Sequence, residues 1–202
     1  MEYRFIRARQ PVQKEMRRRA ILQAASALAY EGRVEDITLG LIASRAQLAK
    51  SNLYRYFENR EHILLIVMLE DWEKWVTKLE HTVWDEGTTG GKESFVASIL
   101  ADSFRKEARL CDLVCLLYTV LLPNLSKNVR LRFENEFAVY EQRTSRALRQ
   151  GLPTYSQTER AIILRFMVVA MAGLWPMRER NENQFVTELA HNLQTHIRGL
   201  AP

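Results

Sequence analysis

Hydrophobic residues recur at helical spacing along almost the whole chain, and no segment alternates between hydrophobic and polar residues as a strand would. The first segment has four apolar residues at i, i+3, i+4 and i+7: Ile21, Ala24, Ala25 and Leu28. This pattern predicts a helix from about Pro11 to Glu31, with Gly32 as a left-handed C-cap. The pattern therefore favours an all-α fold.

Two short helices are predicted next. Thr38 can cap the first, whose apolar positions repeat at helical spacing as far as Ala46. The second spans Lys50 to Phe57 and places Leu53 on the same face as Phe57. Three helices within so short a stretch predict a very small folding unit.

A long helix is predicted to follow, because Asn59 can cap a run of apolar positions that continues to about Glu86. Three glycines and two threonines at 87–91 then favour a loop. Five further helices are predicted: Lys92 to about Lys106, Cys111 to Leu121, Val129 to Gln150, one beginning at Ser156, and Glu182 to Arg198. The chain therefore contains about nine helices.

The last two predicted helices, about 156–174 and 182–198, carry more apolar surface than an ordinary surface helix, which has one polar side that faces solvent. Ser156 and Glu159 form a capping box at the start of the first, and Arg165 is its only charged residue from Ala161 to Trp175. The pair could complete the core of a monomer or bind a second subunit. We expect self-association through this pair.

Composition indicates a folded chain: 47% of its 202 residues are hydrophobic and 26% charged, with 8 Gly and 5 Pro. Cys111 and Cys115 are too few for a disulfide framework, and their spacing fits neither a zinc ribbon nor a redox motif. The longest charge-free run, 14 residues, is too short to cross a bilayer, and no signal peptide is evident. We therefore expect a cytoplasmic protein without a membrane segment.

The net charge of +5 lies in the first third of the chain. Residues 1–62 hold 12 Lys and Arg against 7 Asp and Glu, whereas residues 63–202 hold 17 of each. Seven basic residues lie among the first twenty: Arg4, Arg7, Arg9, Lys14, Arg17, Arg18 and Arg19. Such a block indicates nucleic acid or an anionic membrane surface as partner, although a solvated basic tail has the same composition.

No arrangement of residues indicates an enzyme or a metal site. The chain has no G-x-S-x-G motif, no glycine-rich phosphate loop and no Cys/His pairing at catalytic spacing. The four histidines have no ligand spacing with the cysteines or with each other: His62, His81, His191 and His196. We therefore predict no catalytic residue, no metal and no cofactor.

Residues 38–61 have the layout of a helix-turn-helix, in which a bracing helix and a tight turn precede a helix that can enter the major groove. Leu53 and Phe57 would anchor this second helix inward. Its outward side chains can bind base edges and phosphates: Lys50, Ser51, Asn52, Tyr54 and Arg55. The pattern therefore indicates a DNA-reading helix.

This segment, with Leu-Tyr-Arg-Tyr-Phe-Glu-Asn-Arg-Glu at 53–61, closely resembles the tetracycline-repressor-like (TetR) family of bacterial transcriptional regulators over about residues 14–65. Residues 66–202 are similar to it only in helical style. The resemblance implies a homodimer joined by its last two helices, with one operator half-site per subunit and a small-molecule pocket. It implies a DNA-binding domain at 1–62, with a basic N-terminal arm, and an effector-binding and dimerisation domain at 63–202.

The resemblance also implies particular contacts with the DNA backbone. Thr38 would contact a phosphate at the start of the first helix of the motif, Tyr56 would meet the backbone, and Arg60 would bind a phosphate at the start of the long helix. An arm containing Arg4, Arg7 and Arg9 would precede the first helix and reach a minor groove or, as an unstructured tail, add only non-specific attraction.

The chain departs from the family pattern at three positions. Gln47 replaces the usual glycine of the turn, where a left-handed backbone costs about 1–2 kcal/mol, so a tighter or re-set turn is expected. Ala49 replaces a capping Ser or Thr, a loss of about 1 kcal/mol. Gly40 lies inside a helix, where it either permits close approach to DNA or simply weakens the helix.

Aromatic residues of the second domain are candidates for an effector pocket. We select Trp75, Phe104 and Tyr118, together with Cys115, although ordinary core packing would also account for them.

The sequence hypothesis is a ligand-responsive regulator, a repressor, that binds a pseudo-palindromic operator as a homodimer and is released by a small-molecule effector. The alternative is an all-helical oligomeric protein that associates with DNA or with another partner and has no effector.

Overall fold

The computed structural model describes residues 3–84, 91–179 and 181–201, and within these ranges the chain forms nine α-helices and no strand. The helices are α1 (Tyr3–Glu31), α2 (Leu39–Arg45), α3 (Lys50–Leu53), α4 (Arg60–Glu80), α5 (Lys92–Arg105), α6 (Ala108–Leu116), α7 (Lys127–Gly151), α8 (Gln157–Leu174) and α9 (Glu182–Gly199). The predicted all-α class is therefore confirmed.

Helix α1 differs from its prediction at both ends. It begins at Tyr3 rather than Pro11, because the residues ahead of the proline include good helix formers, so the predicted arm of Arg4, Arg7 and Arg9 lies within the helix. The expected left-handed cap at Gly32 is wrong. Among the described glycines a positive φ occurs at Gly91 and not at Gly32, whose N–H bonds to the Leu28 carbonyl as in a continuing helix.

Other helix ends shift for local reasons. The long helix α4 ends at Glu80 rather than Glu86, a position outside the described residues. The predicted helix from Cys111 to Leu121 starts earlier, at Ala108, and its second half is a π-turn over Leu117–Leu121. A 3₁₀ turn that contains Pro123 follows, since proline has no N–H to continue the helix.

Helix α4 is the central element, because it packs against α1, α6 and α7. The predicted boundary at 62/63 falls within its first turn and stays a prediction. Its buried Trp72 and Trp75 join Phe104 of α5 and Phe137 of α7 in one aromatic cluster, with ring centroids 5.0–5.3 Å apart. This cluster forms the centre of the larger domain, while α5 and α8 pack on α9.

The segment Gln157–Arg178, which comprises α8 and most of the turn after it, is long and apolar enough to cross a membrane by length and composition alone. In the monomer 39% of its most apolar window is buried, and α8 packs against α6, α7 and α9. A core helix passes the same test. The structure therefore confirms the apolar character of α8 and shows that part of it lies open.

Candidate nucleic-acid interface and effector cavity

The turn between α2 and α3 is a Schellman motif built on glutamine instead of glycine. The Leu48 N–H bonds to the Ala43 carbonyl at 2.9 Å, and the Gln47 N–H bonds to the Ser44 carbonyl at 3.1 Å. Gln47 has a φ of 55°, the only positive value at a non-glycine residue among those described. The turn therefore keeps its left-handed geometry at the expense of strain, and the expectation of a tighter or re-set turn is wrong.

The two helices of the motif have unequal N-terminal caps. The Thr38 hydroxyl accepts a hydrogen bond from the Leu41 N–H at 3.2 Å and caps α2 as predicted. Ala49 has the extended backbone of an N-cap residue at α3 but offers no side-chain acceptor. Helix α3 is only four residues long and does not continue to Phe57 as predicted, so tertiary packing must hold it.

Two buried residues provide that packing. Leu53 is 1% exposed and Phe57 is 3% exposed, and the guanidinium of Arg18 on α1 lies 5.6 Å from the centroid of the Phe57 ring. The inward anchors predicted from sequence therefore lie in the core.

The predicted DNA-contacting side chains around α3 share one property: within the described part of the chain, none of them forms a side-chain hydrogen bond or ion pair. Lys50, Ser51, Tyr54 and Arg55 are exposed, and Asn52 and Tyr56 are half-buried. Hydrogen-bonding groups on a rigid helix without internal partners are available to an external ligand. Their individual contacts with DNA stay predictions.

Arg60 has a different environment from the one predicted. Its guanidinium donates to the backbone carbonyls of Glu35 and Ile37, at 3.1 and 2.9 Å, and lies 3.0 Å from the Glu61 carboxylate. These bonds join the start of α4 to the segment ahead of α2, a role that the sequence did not indicate. Its phosphate contact stays a prediction, and a structural function accompanies it.

The four predicted pocket residues have different surroundings within the described part of the chain. Trp75 and Phe104 are fully buried and stack on each other at 5.0 Å, and the Trp75 indole donates to the Ser103 hydroxyl at 2.9 Å. Tyr118 is 64% exposed on the π-turn, whereas the Cys115 sulfur lies 3.5 Å from the Ala172 carbonyl. The prediction treated residues on different faces of their helices as one group, and only packing separates those faces.

The cysteines have the character of buried hydrophobic residues. Burial raises the pKa of the Cys111 thiol well above its usual value and raises that of Cys115 to about 11. Both thiols are therefore protonated at neutral pH and lack the thiolate that redox sensing requires.

A cavity of about 330 Å³ lies instead where α1, α4 and α7 meet. Buried apolar residues form part of its lining: Leu65, Leu69 and Phe133. Charged residues form another part: Arg18, Glu70, Glu73, Arg132 and Glu136. Burial raises the pKa of the Glu70 carboxyl, which lies on the α4 wall. Sequence reasoning missed this cavity because its walls come from segments that are distant along the chain.

Two polar junctions connect the small N-terminal unit to the larger domain. At the first, the Arg109 guanidinium of α6 binds both carboxylate oxygens of the buried Asp71, at 2.5 and 2.6 Å, and donates to the Ser26 hydroxyl of α1 at 2.7 Å. At the second, Glu58 accepts from the Ser126 N–H and hydroxyl at the start of α7, and these bonds lower the pKa of Glu58. The first junction therefore links α6 to α1, and the second links the start of α7 to the segment between α3 and α4.

One face of α8 exposes large apolar side chains to solvent, beside the charged Arg165. Ile162 is 39% exposed and Val169 is 67% exposed, seven residues or two turns apart, with the partly buried Phe166 between them. The predicted capping box is present at the start of the same helix. This face and the partly exposed residues of α9 form the surface that the sequence predicted for self-association.

The chain matches two family models, one for each domain. Residues 21–67 match the model described as "Bacterial regulatory proteins, tetR family", and residues 69–184 match "Tetracyclin repressor-like, C-terminal domain". The HTH-type transcriptional repressor KstR of Mycolicibacterium smegmatis is 23% identical over 182 residues, which cover 90% of this chain and 85% of the relative.

Solved structures agree with the fold. A TetR transcriptional regulator from Rhodococcus sp. RHA1 aligns with a TM-score of 0.61 and 14% identity, over 94% of this chain and 100% of that one. The regulator FadR from Bacillus subtilis, solved in complex with stearoyl-CoA, aligns with a TM-score of 0.55 and 17% identity, over 89% and 97% of the two chains. Since the second family model alone covers more than half of the sequence, the chain belongs to the TetR family of transcriptional regulators.

Proposed function

We propose that this protein is a ligand-responsive transcriptional repressor that binds a pseudo-palindromic operator as a homodimer and is released by a small-molecule effector. The observation that carries the proposal is the short helix α3. It is anchored by Leu53 and Phe57, yet its outward polar side chains have no partner within the described residues. On this proposal Asn52 and Lys50 contact base edges, because amide and ammonium groups donate to acceptors in the major groove.

Dimerisation would place two copies of α3 on one face of the DNA. The open apolar face of α8, with Val169 and Ile162, supports a subunit interface there, together with α9. In a dimer of helix-turn-helix units the two reading helices lie about 34 Å apart, one turn of DNA. The operator would therefore contain two related half-sites at that spacing.

Effector binding would act through the junctions between the domains. A ligand that favours a dimer with a different α3 spacing must weaken operator binding by thermodynamic linkage. The cavity between α1, α4 and α7 supports such coupling, because α1 belongs to the reading unit and α7 to the larger domain. Its volume of about 330 Å³ is at the small end of the range for ligand sites.

The proposal is tested by selecting duplexes from a random-sequence pool with the purified protein and measuring affinity for the selected and the random duplexes by fluorescence anisotropy. We expect the selected duplex to contain an inverted repeat and to bind at least 1,000-fold more tightly, the usual margin of specific over non-specific binding. Asn52→Ala should reduce this ratio, whereas Asn135→Ala, an exposed change on α7, should leave it unchanged. Equal affinity for both duplexes would contradict sequence-specific repression.

The effector is sought by adding compounds to the complex with the selected duplex. Stearoyl-CoA is a reasonable first compound, because FadR from B. subtilis was solved with it at 17% identity to this chain. Release of the duplex at a saturable ligand concentration supports the proposal. If no compound in a broad panel of acyl-CoA esters and drug-sized molecules releases the duplex, the alternative without an effector is favoured.

A further inference from the structure

A second polar cleft, of about 420 Å³, lies between α1 and the segment that follows α3. Five side chains line it: Gln13, Lys14, Arg17, Arg55 and Tyr56. Every one of them carries a hydrogen-bond donor, and three carry a positive charge. The sequence indicated only a basic block at the start of the chain, in which Lys14 and Arg17 were not distinguished from their neighbours.

The rotation of α1 brings these residues together. Lys14 and Arg17 are three residues apart and therefore share one face of the helix. Ile21, four residues after Arg17, is 0% exposed and fixes that face toward the core. Arg17 and Lys14 thus lie about one and two turns before Ile21, respectively, next to Arg55.

The cations in this cleft have no acidic partner among the side chains that the structure describes. Glu15, the nearest carboxylate along α1, faces Arg18 and Arg19 instead, at 3.9 and 3.3 Å. Three positive charges held together by the fold repel one another unless an anion lies between them. A phosphodiester fits best, since its two free oxygens accept several charged hydrogen bonds at once.

We infer that this cleft binds one backbone phosphate of the operator in each subunit, with Lys14, Arg17 and Arg55 as its ligands. The inference rests on the proposed function and assigns a contact surface to α1. It also narrows the role of Arg55, whose sequence position allowed contact with either base edges or phosphates. A phosphate contact positions the protein but carries no direct sequence information.

The test compares two variants of α1 that each lose one positive charge, Arg17→Gln in the cleft and Arg19→Gln outside it. Affinity for the selected duplex is measured from 50 to 300 mM salt, about a sixfold range. Loss of one phosphate contact per subunit should reduce the slope of log affinity against log salt by about two for a dimer on two half-sites. Arg17→Gln should show this reduction, and Arg19→Gln should retain the wild-type slope.

A third variant, Arg55→Gln, separates phosphate binding from base reading. Its affinity should fall by a similar factor, about tenfold or more, for the selected and the random duplex, so that their ratio is unchanged. Circular dichroism and thermal melting confirm that each variant is folded.

Each contrary result has a distinct meaning. Equal slopes for Arg17→Gln and Arg19→Gln, in a protein whose wild type binds DNA, would overturn the cleft and leave the proposed function intact. A lower ratio for Arg55→Gln would return Arg55 to base reading and overturn its place in the cleft. No binding of wild type to either duplex would overturn the proposed function, and the phosphate site with it.

Discussion

Helix α3 and helix α8 are stabilised in different ways. Helix α3 has four residues, an alanine in its N-cap position and a strained glutamine in the preceding turn. Helix α8 has eighteen residues and a complete capping box in which Ser156 and Glu159 bond to each other's backbone N–H groups. Local signals support α8, whereas α3 depends on the burial of Leu53 and Phe57.

The outward faces of the two helices also differ in polarity. Around α3 the exposed groups are polar, as at Lys50 and Ser51, and such groups can bind a charged, hydrated ligand. On α8 they are apolar at Ile162 and Val169, which suits a second protein surface. The helix with the polar outward face thus depends on tertiary packing, whereas the helix with the apolar outward face is supported by local capping.

Removal of the α3 anchor should have the largest effect. Leu53→Ala creates a cavity beneath a helix that has no side-chain cap, and we expect the free energy of unfolding in urea to fall by about 2–5 kcal/mol. Leu41→Ala provides the control, because Leu41 is 49% exposed on α2 and its loss should change stability by about 0.5 kcal/mol or less. Equal losses for the two variants would show that α3 is held in another way.

A charge on the open face of α8 should disrupt the proposed dimer. Val169→Lys places an ammonium group in an apolar interface, and we expect the dimer dissociation constant in analytical ultracentrifugation to rise at least tenfold, about 1.4 kcal/mol or more. The monomer should remain folded. Val139→Lys, at a 52% exposed position of α7, should leave assembly unchanged, and a wild-type protein that sediments as a monomer would refute the interface itself.

Removing the N-cap side chain of α8 and adding one to α3 should change stability in opposite directions. Ser156→Ala removes the hydroxyl that accepts from the Glu159 N–H and should lower the free energy of unfolding by about 1 kcal/mol. Ala49→Ser supplies the acceptor that α3 lacks and should raise it by up to about the same amount. Chemical denaturation measures both; a loss on Ala49→Ser would mean that the hydroxyl cannot reach an N–H of α3.

The smallest expected effect is relief of strain in the turn. A φ of 55° destabilises the folded state by about 1–2 kcal/mol when the residue has a β-carbon, and Gln47→Gly removes this strain. Glycine also increases the conformational entropy of the unfolded chain, which lowers stability by about 0.4–1 kcal/mol. We therefore expect a net gain of up to about 1 kcal/mol in thermal or chemical unfolding. Gln47→Ala is the matched control, since it retains a β-carbon and should bring no such gain.

Sequence reasoning succeeded where one short segment contains the whole cause. The caps Thr38, Asn59 and Ser156 follow from a side chain and an N–H two or three residues away, and the structure has all three. Sequence reasoning was wrong at Gln47, where a tighter or re-set turn was expected and the left-handed backbone is retained. Sequence reasoning also failed at α1, where the helix propensity of the residues before Pro11 outweighed the helix-breaking effect of the proline.

The tertiary structure alone decided which distant residues meet. It sealed Trp75 and Phe104 in the core and turned Tyr118 outward. It joined Arg60 to carbonyls more than twenty residues away, and it brought Lys14 of α1 beside Arg55. Periodicity fixes which side of a helix is buried, because helical spacing is local. It does not fix what each helix packs against, because that depends on how all nine share one core.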